Sequence, residues 1–207
     1  MIHSVVEKLR LTVTWMVGIV FIGFVCFSRN IYSETLAYET IEMIGYALII
    51  AAVVGRIWCS VYIAGRKDEE LTTDGPYSLC RNPLYVFSFI GAVGIVLSST
   101  HIVLLLILIP IYWGYYLHVI KSEEERLARL FGRPYDNYCR QVSSLIPDVA
   151  NYWSRKNIDI KPRVLLRSIV NTTWLLWAIV LMELLEFAQG AQIGGKYLIP
   201  VIWKLPF

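Results

Sequence analysis

The chain has 207 residues, of which 57% are hydrophobic and only 17% charged, with a formal net charge of +3. Soluble domains carry about 25% charged residues, so a soluble globular reading is excluded in favour of a multi-pass membrane protein. The small, dispersed positive charge, with no basic stripe interleaved with aromatics, excludes a nucleic-acid-binding chain.

The first apolar run, about Leu11 to Ser28, lacks a small-residue cleavage site and outlasts a signal-peptide core. It is read as a retained span rather than a signal peptide. A polar loop with Arg29, Asn30, Glu34 and Glu39 leads to a second span, about Ile41 to Ala64, which closes on Gly65-Arg66-Lys67. A polar, turn-forming block follows: Asp74-Gly75-Pro76-Tyr77-Ser78-Leu79-Cys80-Arg81-Asn82-Pro83-Leu84-Tyr85. Two apolar arms come next, Leu84 to about Ser98 and Ile102 to about Ile120. Their joint, Ser98-Ser99-Thr100-His101, admits only a tight helical hairpin. The first arm barely crosses a core of roughly 30 Å. A long polar, basic and aromatic segment runs from Lys121 to Arg163, and the last span covers about Val164 to Phe187. A tail from Gly190 to Gly195 ends in apolar residues with Pro200 and Pro206.

The expected fold is all-α, a multi-pass transmembrane helical protein of about five spans including the tight hairpin. Residues 1–65 form N-terminal transmembrane helices. Residues 66–150 form a core holding both polar blocks and the hairpin. Residues 151–207 form a linker, an extra span and a tail. Lysine and arginine set the orientation. With the N-terminus inside, inner segments hold 14 of the 19 Lys and Arg residues and outer segments hold 3. Both polar blocks therefore face the cytoplasm, on the same side of the hairpin.

The second block, Glu123-Glu124-Glu125-Arg126-Leu127-Ala128-Arg129-Leu130-Phe131-Gly132-Arg133-Pro134-Tyr135, reads as a helix continuing out of the hairpin. Glu123 and Glu124 lie four and three residues before Leu127, on the face that carries Leu130 and Phe131. Both carboxylates thus point inward with the apolar stripe. The same glutamates also suit a solvated cap on a membrane-exit helix. In the first block, Gly75-Pro76 predicts a tight turn, and Asn82-Pro83 opens the next helix with Pro in its first turn. Arg81 and Asn82 are then free to bind a ligand, or Arg81 is a positive-inside anchor.

Cys26, Cys59, Cys80 and Cys139 contain no C-x-x-C pair, so no metal site is expected. They read as reduced, packed thiols; Cys80 and Cys139 flank the polar blocks without a thiolate-forming environment. Arg56, inside its span, is a costly charge that suggests function, with snorkelling to the inner interface as the plainer reading. Trp58, Tyr62 and Tyr85 suit interface aromatics or a lipid tunnel. His118 is a candidate acid or base beside a packing role. Asn171 is expected to bond a neighbouring helix.

In order and spacing, several pieces resemble one superfamily. They are Gly75-Pro76-Tyr77, then Arg81-Asn82-Pro83-Leu84-Tyr85, a short hairpin, Glu123-Glu124-x-x-Leu127-x-x-x-Phe131-Gly132-x-x-Tyr135-x-x-Tyr138, and Val142 to Ile146-Pro147. The region from about Arg56 to Pro147 resembles the isoprenylcysteine carboxyl methyltransferase and phospholipid methyltransferase superfamily. The resemblance implies an S-adenosylmethionine-dependent methyltransferase with a cofactor pocket at the cytoplasmic surface and a lipid or lipidated acceptor. It implies that Leu71, Thr72, Tyr77, Asn82, Pro83, Leu84, Tyr85 and Glu123 line the cofactor, with Arg81 and Glu124 as the candidate catalytic residues. Glu69 and Glu70 align with the same lining, although the family has other residue types there. Arg81 would answer the cofactor carboxylate, a glutamate its ammonium or hydroxyls, and aromatics its adenine.

Three positions depart from the family pattern. Asn82 stands where the family usually has His, which removes a titrating base. Ser143 replaces a usual Pro. Val119 occupies the place of a basic residue in the carboxyl-methylating branch, so a prenyl-cysteine carboxylate loses its counter-charge unless Lys121 or Arg126 supplies one. Two other functions remain: a sterol-reductase-like NADPH enzyme, suggested by the Arg-x-Pro-x-Tyr motif and Cys139, and a non-enzymatic scaffold. Oligomeric state is not readable.

The orientation is tested by alkaline phosphatase fusions in a bacterial host. A fusion after Gly190 is expected to be active outside, and one after Asn151 inactive; the reverse pattern would overturn the topology.

Overall fold

The computed structural model describes residues 18–30, 35–66, 69–158, 160–193 and 196–205. The start of the expected first span from Leu11, together with His3, Lys8, Arg10, Glu34, Lys67, Gly194, Gly195 and Pro206, lies outside the described residues.

Every apolar segment expected to span is helical where described. Helix α1 covers Gly18–Phe27. Helix α2 covers Leu36–Ile63, and α3 is the single turn Pro76–Leu79. The hairpin consists of α4, Pro83–Ser98, a 3-10 turn at Ile102–Leu104, and α5, Leu105–Phe131. Helix α6 covers Arg133–Gln141, and a second 3-10 turn covers Val149–Asn151. The last span holds α7, Pro162–Thr173, and α8, Leu176–Gly190. Among the described residues, three stretches are long and apolar enough to cross a membrane: Leu36–Ile63, Ile102–Phe131 and Pro162–Gly190. The described part of α1 and α4 are shorter apolar helices.

The α2–α4 pair forms the most closely packed helix interface. Small residues make it possible, as expected where helices associate within lipid. A Cβ added at Gly94 would fall 2.8 Å from the Gly45 carbonyl and 2.9 Å from the Ile49 amide. Gly91 similarly approaches Ala52. In contrast, α5 buries only 6% of its apolar window and presents Leu106, Ile107, Ile111 and Leu117 outward, as a lipid-facing helix does.

Arg56 does not snorkel. Its Nη1 donates sideways to Ser88 Oγ on α4, within the α2–α4 interface. The last span also differs from a single straight helix. It breaks at Trp174 and Leu175, just after Thr173, whose Oγ1 donates back to the carbonyls of Ile169 and Val170 at 3.0 Å. Such back-bonding competes with the helical ladder and bends helices. Asn171, expected to bond a neighbour, is exposed.

At the end away from the two polar blocks, four short strands finish the described residues: β1 Ser28–Asn30, β2 Gln192–Ile193, β3 Lys196–Tyr197 and β4 Trp203–Leu205. Strand β1 pairs in parallel with β4, and β2 antiparallel with β3. Buried His101 ties the hairpin joint to this end, with Ser28 Oγ 3.0 Å from its Nε2. Gln189 Nε2 donates to the carbonyls of Val25, Cys26 and Ser28. The opposite end of α2 and of the hairpin is thereby left to organise the two polar blocks.

The packing seam is tested by Gly94→Ala, which is expected to cost about 1–3 kcal/mol through overpacking and to lower the melting temperature in detergent. Gly114→Ala, where nothing lies within 4 Å, is expected to leave it unchanged or slightly raised. Equal melting temperatures would contradict the seam.

Candidate active site

The first polar block is shaped by backbone before side chains. Gly75 has φ +60°, and an added Cβ would overlap the Tyr62 ring. Only glycine combines that left-handed turn with that contact. Pro76 then starts α3, and Pro83 starts α4 with Asn82 at the preceding cap position. Pro in a first helical turn forfeits no internal hydrogen bond. Between the two prolines the chain pairs with the segment after α6. The Arg81 amide donates to the Ser143 carbonyl at 2.8 Å, Asn82 to Ser144 at 3.1 Å, and Asp148 to Leu79 at 2.9 Å. A stretch far along the chain is thus fixed against the first block.

The second block arrives on α5, which continues unbroken past the apolar span to Phe131. Glu123 and Glu124 are partly buried, at 32% and 22% side-chain exposure, while Glu125 is exposed. Both inward carboxylates meet donors from the first block, so the solvated-cap alternative does not describe them.

Glu124 is the centre of a clasp. Arg81 Nε and Nη2 each donate to one of its oxygens at 3.1 Å, a two-pronged pair. Asn82 Nδ2 donates to the same carboxylate at 2.7 Å and Ser144 Oγ at 2.9 Å. Arg81 Nη1 also donates to the carbonyls of Cys139 and Val142. Burial by itself draws Arg81 down, but the bonds and charge of Glu124 outweigh it and hold the guanidinium above its usual value. Arg81 therefore uses four of its five N–H donors inside the protein.

Glu123 is turned differently. Tyr85 Oη donates to it at 2.7 Å, and Arg126 Nη2 lies 3.9 Å from its other oxygen. It borders a cavity of about 140 Å3 between the two blocks. Of the eight cofactor candidates, Leu71, Thr72, Tyr77, Asn82, Leu84, Tyr85 and Glu123 line this cavity. Pro83 does not; it is buried behind the wall as the first residue of α4. Of the catalytic candidates, Arg81 lines the cavity and Glu124 stands outside the lining. Tyr138 lines it too and donates its hydroxyl to the Tyr77 carbonyl at 2.6 Å.

Tyr77 supplies the observation that points to a ligand. Its hydroxyl is buried and has no hydrogen-bond partner among the described residues. Burial pushes this phenol well above its ordinary value, so it stays a neutral O–H. Buried polar groups are almost always bonded, and a polar guest in the cavity would satisfy this one.

Several wall residues lay outside the sequence-derived set: Ile63, Arg126, Leu127 and Phe131. Leu127 and Phe131 sit on the predicted stripe, and Arg126 lies one turn after Glu123, so helical spacing alone could have added them. Glu70, aligned only loosely, also lines the cavity, while Glu69 does not. The segment after the second 3-10 turn was not anticipated at all. Gly75 N donates to the Trp153 carbonyl at 2.8 Å, and Tyr62 Oη lies 2.8 Å from Ser154 Oγ. Arg155 reaches Glu70 at 2.6 Å and fully buried Asp74 at 3.1 Å. No local motif announces this strap.

Other candidates lie apart. His118 is exposed, with Nδ1 2.9 Å from the Gly114 carbonyl of its own helix. Burial pushes the Cys80 thiol up to about 11, so it is not a thiolate at neutral pH. Among the described residues, no group of three His, Cys, Asp or Glu side chains is placed to hold a metal ion. Trp58 packs edge-on against Phe87, with Tyr152 at 6.1 Å.

Comparison with known proteins identifies the chain's family. Residues 19–134 match the phospholipid methyltransferase family. The chain is 35% identical over 156 residues to the nickel-cobalt-cadmium resistance protein NccN of Alcaligenes xylosoxydans xylosoxydans, covering 75% of this chain and 71% of that protein. It is 30% identical over 180 residues to the cobalt-zinc-cadmium resistance protein CzcN of Cupriavidus metallidurans, covering 86% and 83%. The protein-S-isoprenylcysteine O-methyltransferase of Schizosaccharomyces pombe is 37% identical over 81 residues, covering 39% of this chain and 34% of that enzyme. No solved structure matches. With more than half its length matched and both polar blocks of the cavity inside or beside that stretch, the chain belongs to the phospholipid methyltransferase family.

Proposed function

We propose that the protein is an S-adenosylmethionine-dependent methyltransferase acting on a lipid or lipidated acceptor at the cytoplasmic face of its membrane. The observation that carries this reading is one cavity lined by seven of the eight cofactor candidates, among them Glu123 and Tyr77, whose buried hydroxyl has no partner among the described residues. When bound, S-adenosylmethionine supplies a methyl group on a positively charged sulfur.

The residues present fit such a guest. Glu123, steadied by Tyr85 and Arg126, offers a carboxylate to its ammonium or ribose hydroxyls. Tyr77 offers a hydroxyl, and Leu71, Leu84 and Phe131 offer apolar surface to adenine. Arg81 retains one N–H for the carboxylate end. Arg81 and Glu124 act as positioning residues: their bonds hold the two blocks at the separation the cavity needs. Asn82 joins them and cannot serve as a titrating base. The protein's task is to align the acceptor with the methyl group and exclude water. The family match favours this reading over an NADPH reductase. The two relatives named for metal resistance are of the same family and do not redirect it.

Calorimetric titration into detergent-purified protein tests the reading. S-adenosylhomocysteine is expected to bind, and Glu123→Ala to weaken it at least about tenfold, the loss of roughly one charge-assisted hydrogen bond. Binding of NADPH alone would establish the reductase instead, and binding of neither by folded protein would leave a scaffold.

The clasp gives a separate prediction. Arg81→Ala or Glu124→Ala is expected to destabilise by about 2–4 kcal/mol, somewhat below a fully buried broken pair. The double variant should lose less than the sum, and Arg81→Lys should recover only part, lacking the two-pronged geometry. Additive losses in thermal unfolding would show that the pair does not act as a unit.

A further inference from the structure

A second cavity adjoins the first. A cleft of about 260 Å3 opens between the end of α2 and the start of α7. Ile63 lines both cavities, and consecutive acids divide between them, Glu69 on the cleft and Glu70 on the cofactor side. The cleft contains two hydroxyls, Ser60 and Ser168, bonded at 2.6 Å. Its rim is the ion pair of Lys161 Nζ with Glu69 at 3.3 Å. Both partners are well exposed, at 60% and 70%, so the bridge is weak and readily exchanged. The Lys161 side chain lies across Gly65, where an added Cβ would overlap it. Val164, which lines the cleft, and Leu166 expose apolar surface along α7.

An ammonium, a carboxylate and hydroxyls set beside an apolar helix face match one kind of guest: a lipid head group with the first methylenes of its chains. The cationic rim selects a phosphate. The family match ends at residue 134, so Lys161, Val164 and Ser168 line this cleft from outside the matched stretch. We propose that the α2–α7 cleft receives the phosphate-bearing head group of the acceptor lipid, with Lys161 exchanging Glu69 for the phosphate. Ile63, which lines both cavities, then stands where the acceptor passes from its head-group cleft towards the methyl donor. The assignment of this lipid as acceptor rests on the methyltransferase reading; the binding site itself does not.

The test uses the full chain in detergent and dihexanoyl phosphatidylglycerol as a soluble probe, read by calorimetry. Wild type is expected to bind it saturably. Val164→Trp, which fills the cleft from α7, is expected to weaken binding at least about tenfold. Val170→Trp, on the exposed side of α7, is expected to leave it unchanged. Lys161→Gln should weaken the phospholipid but not dihexanoylglycerol, which lacks phosphate, and inorganic phosphate should not displace the lipid. S-adenosylhomocysteine titrated in parallel should bind wild type, Val164→Trp and Val170→Trp alike. Equal lipid binding by wild type and Val164→Trp would overturn the cleft, as would loss of S-adenosylhomocysteine in Val164→Trp alone. Absence of S-adenosylhomocysteine binding in every protein, with lipid binding as expected, would instead remove the methyltransferase reading and leave a phospholipid site.

Discussion

The two-pronged bond between Arg81 and Glu124 is the constraint on which the rest of the site depends. It joins the loop before α4 to the end of α5, two segments that the hairpin brings to one side but does not itself hold in register. Asn82 and Ser144 complete the carboxylate's partners, and the Arg81 backbone is tied to Ser143. A partly buried charge pair is stable only when most of its remaining bonding capacity is filled; here Glu124 accepts four hydrogen bonds and Arg81 keeps one N–H of five. One consequence is division of labour between adjacent glutamates. Glu124 is consumed by the structure, so Glu123, one residue earlier and rotated by about 100° on the helix, is left for the cavity.

That division also separates what the sequence reveals from what it conceals. The Glu123-Glu124 pair, its inward face and its continuation from the hairpin are all readable from helical spacing. The prolines at 76 and 83 mark both helix starts. The cavity lining follows the resemblance closely, because those residues act through local backbone geometry. Helical spacing does not say which of two neighbouring carboxylates faces the cavity, since both lie on the apolar side; only the resemblance singles out Glu123. The choice is decided by Arg81 and Asn82, whose direction depends on long-range pairing with residues 143 and 144.

The remaining surprises have the same origin. Arg56 turns to Ser88 because α4 packs close enough along small residues to offer a hydroxyl. The strap at Trp153, Ser154 and Arg155 carries no motif; its partners, Gly75, Tyr62 and Asp74, are about 80–90 positions earlier. The break at Trp174 comes from a threonine bonding back to its own helix, which average hydropathy does not register. The hydrophobic pattern thus specifies helices and sidedness, while polar contacts between distant segments specify the site.

The account's central claim is that this cavity serves methyl transfer to lipid. The most direct measurement incubates membranes containing the protein with S-adenosylmethionine labelled in its methyl group, then counts label in the extracted lipid. The account predicts label in the lipid fraction that falls to background with Glu123→Ala while the protein remains folded. Lipid label that is independent of the protein, or undiminished in that variant, would contradict it.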